Sequence, residues 1–539
     1  MRRQKTRTIF RRLRVGAGSA SAVVVACLAL WAASDAAVGA AGGPPGGKLD
    51  AALRAASTGT VRVIVRTEHG GVSDVADRLR GRGRAVLKTH TIIEAITADV
   101  PVEDLSLLES DPMVANVSLD AAVRGSADSG SADSTANPLL ATLGLPYGRL
   151  TGKGVGVAVI DSGVDPGGDF SIVRSVDFTD RGLFDEYGHG THLAGLVASR
   201  GALSQGAYVG IAPRADLISL KVLDAAGYGA TSTVIEAIEF AIVNRKALGI
   251  DVINLSLGHP IYERASTDPL VQAVEAATRA GITVVVSAGN VGRSPITGLP
   301  GYWGILSPGN APSAITVGAV NTRQTAARND DAIAAFSSRG PSWFDALPKP
   351  DLVAPGQSLV SDGVAGSTLF TQLPDRQVAG NGGIARFLRL SGTSMSAAVT
   401  SGTVALMIEA GRTAGADLSP PMIKTILGFT ALPVAGADRL SQGHGALNAA
   451  GAVALAAAVA AAAGSSTEVT PVPPLTTIAG ETWLWAQSFD WDETVVWGNH
   501  DWDDTVVWGN YDWDGTVVWG NTSALTWDDA VWGNAADTP

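Results

Sequence analysis

Cysteine is almost missing from this sequence: one residue, Cys27, stands among 539. It lies in the apolar run from Ala20 to Ala33, behind a start with seven Arg or Lys in fourteen residues and ahead of the small-residue stretch SDAAVGAAGG. That order reads as a signal peptide over residues 1–40, cut after Ala40. The run is too short for a membrane span, and a lipoprotein-type cut at VVAC would split it in half. Loss of the leader removes the only thiol, which excludes disulfides and thiol catalysis from the mature chain. Histidine is scarce as well, at seven residues, and the zinc arrangement H-E-x-x-H does not occur. Basic residues vanish from positions 440–539, which hold thirteen Asp or Glu and no Lys or Arg. The tail therefore carries the net charge of −12, and the rest is nearly neutral. No basic patch is left for a polyanion, which argues against nucleic acid as a partner.

What is present falls into blocks. A Gly/Pro-rich spacer (41–57) leads to TVRVIVRT, which alternates like a half-buried strand, and to VSDVADRLRGRG, a short amphipathic helix. Residues 58–124 continue that alternation as a small α+β unit. The polar, small-residue stretch 125–137 reads as a linker. From 138 to 462 the pattern changes to near-continuous apolar strands alternating with helices, including VGVAVID, DLISLKVLD, IDVINLSLG and ITVVVSAGN. That is the pattern of an α/β domain with a parallel sheet covered by helices on both faces. A second spacer (463–480) precedes residues 481–539, where DWDETVVWGNH, DWDDTVVWGNY and DWDGTVVWGNT repeat every eleven residues and a fourth copy has decayed. This tail is either a short β-rich array or disordered.

In parallel sheets, catalytic groups collect beyond the carboxyl ends of the strands. Asp161 ends the apolar strand VGVAVI and could equally be an ordinary turn residue. His189 and His192 stand three apart in EYGHGTHLAGL, where a third metal ligand is lacking nearby and Gly190 weakens a ligand platform. A general base with a structural neighbour remains open. Asn290 closes VVVSAGN, as a turn residue or as an oxyanion donor. Ser394 enters the helix of SGTSMSAA, as an N-cap or as a nucleophile beside free backbone amides. Together the four arrive in the order Asp, His, Ser.

AVIDSGVD, GHGTHLAG, VINLSLG, VVVSAGN, FSSRGP, DLVAPG and SGTSMSAA resemble, in order and spacing, the signature blocks of the subtilisin-like serine proteases. The resemblance covers about residues 138–462. It implies Ser394 as nucleophile, His189 as base, Asp161 as orienting carboxylate and Asn290 as oxyanion donor, with His192 structural. It implies that Gly227, Tyr228 and Gly229 on one side and Ser256, Leu257 and Gly258 on the other pair with an extended peptide, and that Ser287, Ala288 and Gly289 line a specificity pocket. Ala398 departs from the family's usual proline. The unit over 58–124 resembles the family's inhibitory propeptide, to be cut between Asp120 and Asn137.

The expected protein is a secreted serine endopeptidase, made as a self-processed zymogen, whose partners are protein or peptide substrates and its own propeptide. The chemistry needs no cofactor; structural calcium is compatible with the family, and no EF-hand loop marks a site for it. The aromatic and acidic tail suits a carbohydrate or cell-surface ligand. In the alternative reading that tail carries the main role, and the protease serves maturation or release.

Overall fold

The computed structural model describes residues 47–125, 138–145, 150–293, 297–380, 383–464 and 472–485. The expected leader, most of the first linker and the repeats beyond Trp485 lie outside the described residues.

The small unit is built on a four-stranded antiparallel sheet of β1 (Thr60–Thr67), β2 (Ala85–His90), β3 (Ala95–Pro101) and β4 (Val114–Leu119), in the order β2-β3-β1-β4. Side chains alternate across it. Val63 and Val65 face the helices Val72–Gly81 and Leu105–Ser110, in one core with Val75, Leu79 and Leu108. Ile64 points the other way and joins Ile235 and Leu270 of the large domain. The unit begins earlier than its alternating pattern suggests. Within the expected spacer, Asp50 caps the helix Ala51–Ala55 through the Leu53 amide at 2.7 Å, and Leu53 is buried. Seven residues carry too little periodicity to reveal this; Asp50 finds a partner 69 positions away, in its bond to the Leu119 amide.

After β4 comes β5 (Ala122–Gly125), which overlaps the start of the expected linker. The large domain follows with β6 (Gly156–Asp161), β7 (Ser171–Asp177), β8 (Asp216–Lys221), β9 (Tyr228–Ala230), β10 (Ile250–Leu255), β11 (Leu257–Gly258), β12 (Thr283–Ser287), β13 (Ile315–Asn321), β14 (Ala332–Ile333) and β15 (Leu352–Pro355). Its main sheet runs β14-β13-β12-β10-β6-β8-β7, with β15 also on β13. All pairings are parallel except that of β14. All six residues of β6 are buried, because both faces are covered. Val157 and Val159 share one core with residues of the helices His189–Ala198, Thr393–Ala414 and Ala449–Gly464, while Ala158 and Ile160 share the other with Thr231–Leu248 and Pro269–Arg279.

The chain leaves β6 toward β7 and β8 on one side, then crosses to β10 and β12 on the other. The strand order therefore reverses at β6, which places its carboxyl end, Asp161, at the switch point where such sheets open a crevice. At the far end of the chain, Leu475–Ile478 and Glu481–Leu484 form a hairpin. This corrects the expected spacer at 463–480. Trp485 is buried against Leu432 and Ile478, and its indole donates to Thr476 Oγ1 at 2.7 Å. Among the described residues no helix is long and apolar enough to cross a membrane.

Candidate active site

Asp161 reaches the top of the sheet on β6, and its carboxylate is fixed by its neighbour: Oδ1 accepts from the Ser162 amide at 2.8 Å and from the Ser162 hydroxyl at 3.2 Å. His189 is the first residue of a ten-residue helix whose every member is buried. Its Nδ1 lies 2.8 Å from the same Asp161 oxygen, and both side chains are fully buried. A carboxylate accepts only, so Nδ1 carries the proton and Nε2 is the basic end of the ring.

Local geometry explains the residues around that histidine. Gly188, just ahead of the helix, has φ +89°, and a Cβ there would stand 2.3 Å from Ser367 Oγ. Gly190 lets the helix close on β6, since a Cβ on it would meet the Gly163 carbonyl at 2.1 Å. Sequence reasoning missed Asp185. This buried carboxylate accepts from Gly188 N at 2.7 Å, Thr191 N at 2.9 Å and Thr191 Oγ1 at 2.6 Å, and so caps the His189 helix. Burial pushes its pKa up, while Thr191 and Gly188 pull it back. The only signal was an aspartate three residues ahead of a glycine and a helix. His192 lies one turn on, with Nε2 at 3.0 Å from the Leu388 carbonyl and 3.3 Å from that of Leu359. Burial and the neighbouring His189 hold its pKa down at about 3.

Ser394 is the second residue of the 22-residue helix Thr393–Ala414, which runs through the core and continues unbroken past Ala398. The first amides of a helix have no partner within it and carry partial positive charge. Ser394 Oγ donates to the Ser256 carbonyl at 3.2 Å, and Ser256 Oγ donates to the Ser394 carbonyl at 3.1 Å. Asn254 orders that pair by donating to Ser256 Oγ at 2.9 Å, and itself accepts from Ser401 at 3.0 Å. Asn290 sits next to the serine: its Oδ1 accepts from Thr393 N at 2.9 Å and Thr393 Oγ1 at 3.0 Å. That commits the oxygen of the carboxamide and makes Nδ2 its donating end.

The crevice is filled by the chain itself. β5 runs antiparallel between β9 and β11 as the middle of a three-stranded sheet. Val123 pairs with Gly229 and Arg124 with Tyr228; on the other side Gly125 pairs with Leu257 and Arg124 with Gly258. Gly125 N donates to the Gly227 carbonyl at 3.1 Å. A Cβ added to Gly125 would lie 2.9 Å from Leu223 Cδ1 and 3.3 Å from His189 Nδ1, so the strand ends against the imidazole. Ser287, Ala288 and Gly289 take no part in this sheet. Ser287 ends β12 and Ala288 and Gly289 follow it; Gly289 has φ +108°, and a Cβ there would meet Leu306 at 2.8 Å. Among the described residues, no three His, Cys, Asp or Glu side chains gather as a set able to hold a metal ion.

A buried carboxylate–imidazole pair, a serine at a helix start and a strand-binding crevice at the switch point of a parallel sheet define a serine peptidase of the subtilisin type, and the comparisons agree. Residues 152–453 match the model of the subtilase family, and the chain belongs to that family. It is 35% identical over 380 residues to serine protease AprX of Bacillus subtilis strain 168, covering 68% of this chain and 81% of that protein. It is also 35% identical over 315 residues to subtilisin E of the same strain, covering 56% of this chain and 73% of the relative. The crystal structure of fervidolysin from Fervidobacterium pennivorans, described as a keratinolytic enzyme related to subtilisin, matches with a TM-score of 0.58 at 20% identity. That match covers 75% of this chain and 62% of that structure, less than two thirds of its length. The chain is thus a subtilisin-like serine peptidase, acting on protein or peptide substrates.

Proposed function

We propose that this peptidase is an endopeptidase made as a zymogen, and that it releases itself by cutting just beyond β5. The observation that carries this reading is the seat of Gly125 against His189, with its strand paired on both sides. Ser394 Oγ attacks the carbonyl while His189 Nε2 takes its proton, and Asp161 holds Nδ1–H and stabilises the imidazolium. The Ser394 amide and Asn290 Nδ2 hold the oxyanion, each such donor contributing about 3–4 kcal/mol to the transition state. His189 then protonates the leaving amine, and water resolves the acyl-enzyme. All of these groups come from the chain, so the chemistry needs no cofactor.

Asp161 fixes the Nδ1 side of the ring, so the reacting carbonyl belongs on the Nε2 side. One extended residue advances the chain by about 3.3 Å, enough to carry it from the Nδ1 side of the ring to the Nε2 side. The scissile bond therefore follows Ser126 or lies within a residue of it. The apolar leader directs the protein out of the cell, and residues 49–125 serve as an intramolecular inhibitor until released.

Sequencing the amino terminus of protein recovered outside the cell tests this. It should begin at Ser126, Ala127 or Asp128, and Ser394→Ala should accumulate still carrying residues 49–125. An active enzyme that keeps that segment uncut would overturn the proposal.

A further inference from the structure

We infer that the crevice carries a seat for a cationic side chain, built on Tyr228 and Tyr187, which favours Arg or Lys in a substrate at the position that β5 gives to Arg124. The inference rests on the reading of β5 as a substrate-like strand. It adds a preference that main-chain pairing cannot supply.

The register fixes Arg124 between Tyr228 of β9 and Gly258 of β11, one residue before the glycine that meets His189. From there its guanidinium carbon stands 5.3 Å from the centre of the Tyr228 ring. A cation over an aromatic face at this distance is attracted by the ring quadrupole. Tyr187 backs the same place. Its ring lies 6.0 Å from that of His189, and a Cβ on Gly227, the residue before Tyr228, would strike it at 2.6 Å. Burial pushes the Tyr187 phenol up, and the charge of Arg124 opposes that push, so the guanidinium lies near this phenol as well as over the Tyr228 ring.

The seat is held by the enzyme and does not depend on the strand that occupies it. Asp224 closes a tight turn beneath Tyr228: its Oδ1 accepts from Ala226 N at 2.9 Å and Tyr228 N at 3.1 Å, and its own amide donates to the Tyr228 carbonyl at 2.8 Å. These bonds commit Oδ1 of the carboxylate to its own turn. Glu186 likewise pairs with Lys221 at 3.2 Å. Recognition by the ring face therefore carries the preference. An acidic side chain there would meet the negative face of the ring and be disfavoured.

Three chromogenic peptides test this on the mature enzyme: Ala-Val-X-Gly-Ser-p-nitroanilide with X as arginine, its neutral isostere citrulline, or alanine. Because Tyr228 is half exposed, the arginine peptide should exceed the citrulline peptide about two- to fivefold in kcat/KM, mainly through KM. Tyr228→Leu should bring that ratio to one and Tyr228→Trp should raise it, each read as a ratio within one variant. Equal handling of arginine and citrulline by wild-type enzyme that digests casein would overturn the seat and leave the protease reading standing. Failure to cut casein as well as all three peptides would overturn both.

Discussion

Asn116 Nδ2 donates to Glu263 Oε2 at 2.7 Å, tying β4 of the small unit to the large domain across their junction. Burial pushes the Glu263 carboxyl up to about 8, and the like charges of Asp268 and Asp50 add to the rise while Ser118 and Thr267 oppose it. Arg66 also faces it. Beside it, burial pushes Asp50 up to about 6 against the amides of Leu119 and Leu53 and the charge of His259. Both shifts are upward, so the docked form holds protons that the separated form releases. Their stabilisation is complete below the ordinary carboxyl range, near pH 4, and is lost as pH rises through 6 and then 8. The thermal midpoint of the uncleaved Ser394→Ala chain should fall by several degrees between pH 5 and pH 9. Glu263→Gln should flatten the upper part of that fall; an unchanged slope in this variant would refute the assignment.

Substitutions at the reacting groups should separate by role. Ser394→Ala and His189→Ala should each lower kcat by about 10⁴-fold or more, and Asp161→Asn, which exchanges the carboxylate for a carboxamide able to donate to Nδ1 and so favours the wrong imidazole tautomer, by about 10⁴-fold. Asn290→Ala should cost about 10²- to 10³-fold in kcat with little change in KM. Steady-state kinetics on a short peptide checks all four. A rise in KM alone at Asn290 would remove it from the oxyanion site.

His192 should behave differently from His189. With its pKa near 3, it is neutral at any working pH and donates within the core. His192→Ala should lose about 1–3 kcal/mol of stability, the penalty for stranding buried acceptors. Turnover per folded molecule should stay within about threefold, measured after active-site titration. Loss of turnover equal to that of His189→Ala, in a folded protein, would contradict this.

Asp185 is a positioning residue. Asp185→Ala strips three hydrogen bonds from the turn that starts the His189 helix, and a shift of the imidazole by an ångström can cost up to about 10²-fold in rate. The expected signature is a fall in kcat with labelling of Ser394 by an organophosphate slowed in parallel. Unaltered labelling with reduced thermal stability would leave Asp185 a purely structural cap.

The carboxyl-terminal boundary can be set by truncation. Chains ending at Ala486 should keep peptide turnover within about twofold of full length, because the hairpin and Trp485 remain. Chains ending at Gly480 lose the buried indole and its bond to Thr476, at a cost of about 3–5 kcal/mol. Thermal unfolding of the two truncations compares them directly; equal midpoints would show that the hairpin is an appendage.

The main sheet and the positions of Asp161, His189, Asn290 and Ser394 were legible because each rests on a local signal: an unbroken apolar strand, a glycine turn, a helix start. The segments around Tyr228 and Leu257, which pair with β5, were singled out through family resemblance. What stayed hidden depends on long-range pairing. β5 is four residues long and finds its partners about a hundred and a hundred and thirty positions away, so nothing in AVRG distinguishes a strand from the first residues of a linker. The hairpin at 475–484 has the same difficulty, since its fixed point, Trp485, is one of ten tryptophans in a repetitive tail. Asp185 was hidden because a carboxylate ahead of a glycine reads as an ordinary loop residue until the helix it caps is seen.

Between β9 and β11 there is room for one strand, and β5 occupies it antiparallel to both. On the proposed release of β5, the enzyme would present two facing edges whose amides and carbonyls can pair with a chain of one direction. A target must therefore offer several consecutive residues that are extended and have no other claim on their main-chain groups. Native helices and interior strands cannot offer this without opening first. Attack on a folded target would then follow the free energy of that local opening, and closing would compete with cleavage. A destabilising substitution far from the scissile bond in a substrate protein should make it a faster substrate, even when the residues beside the bond are unchanged.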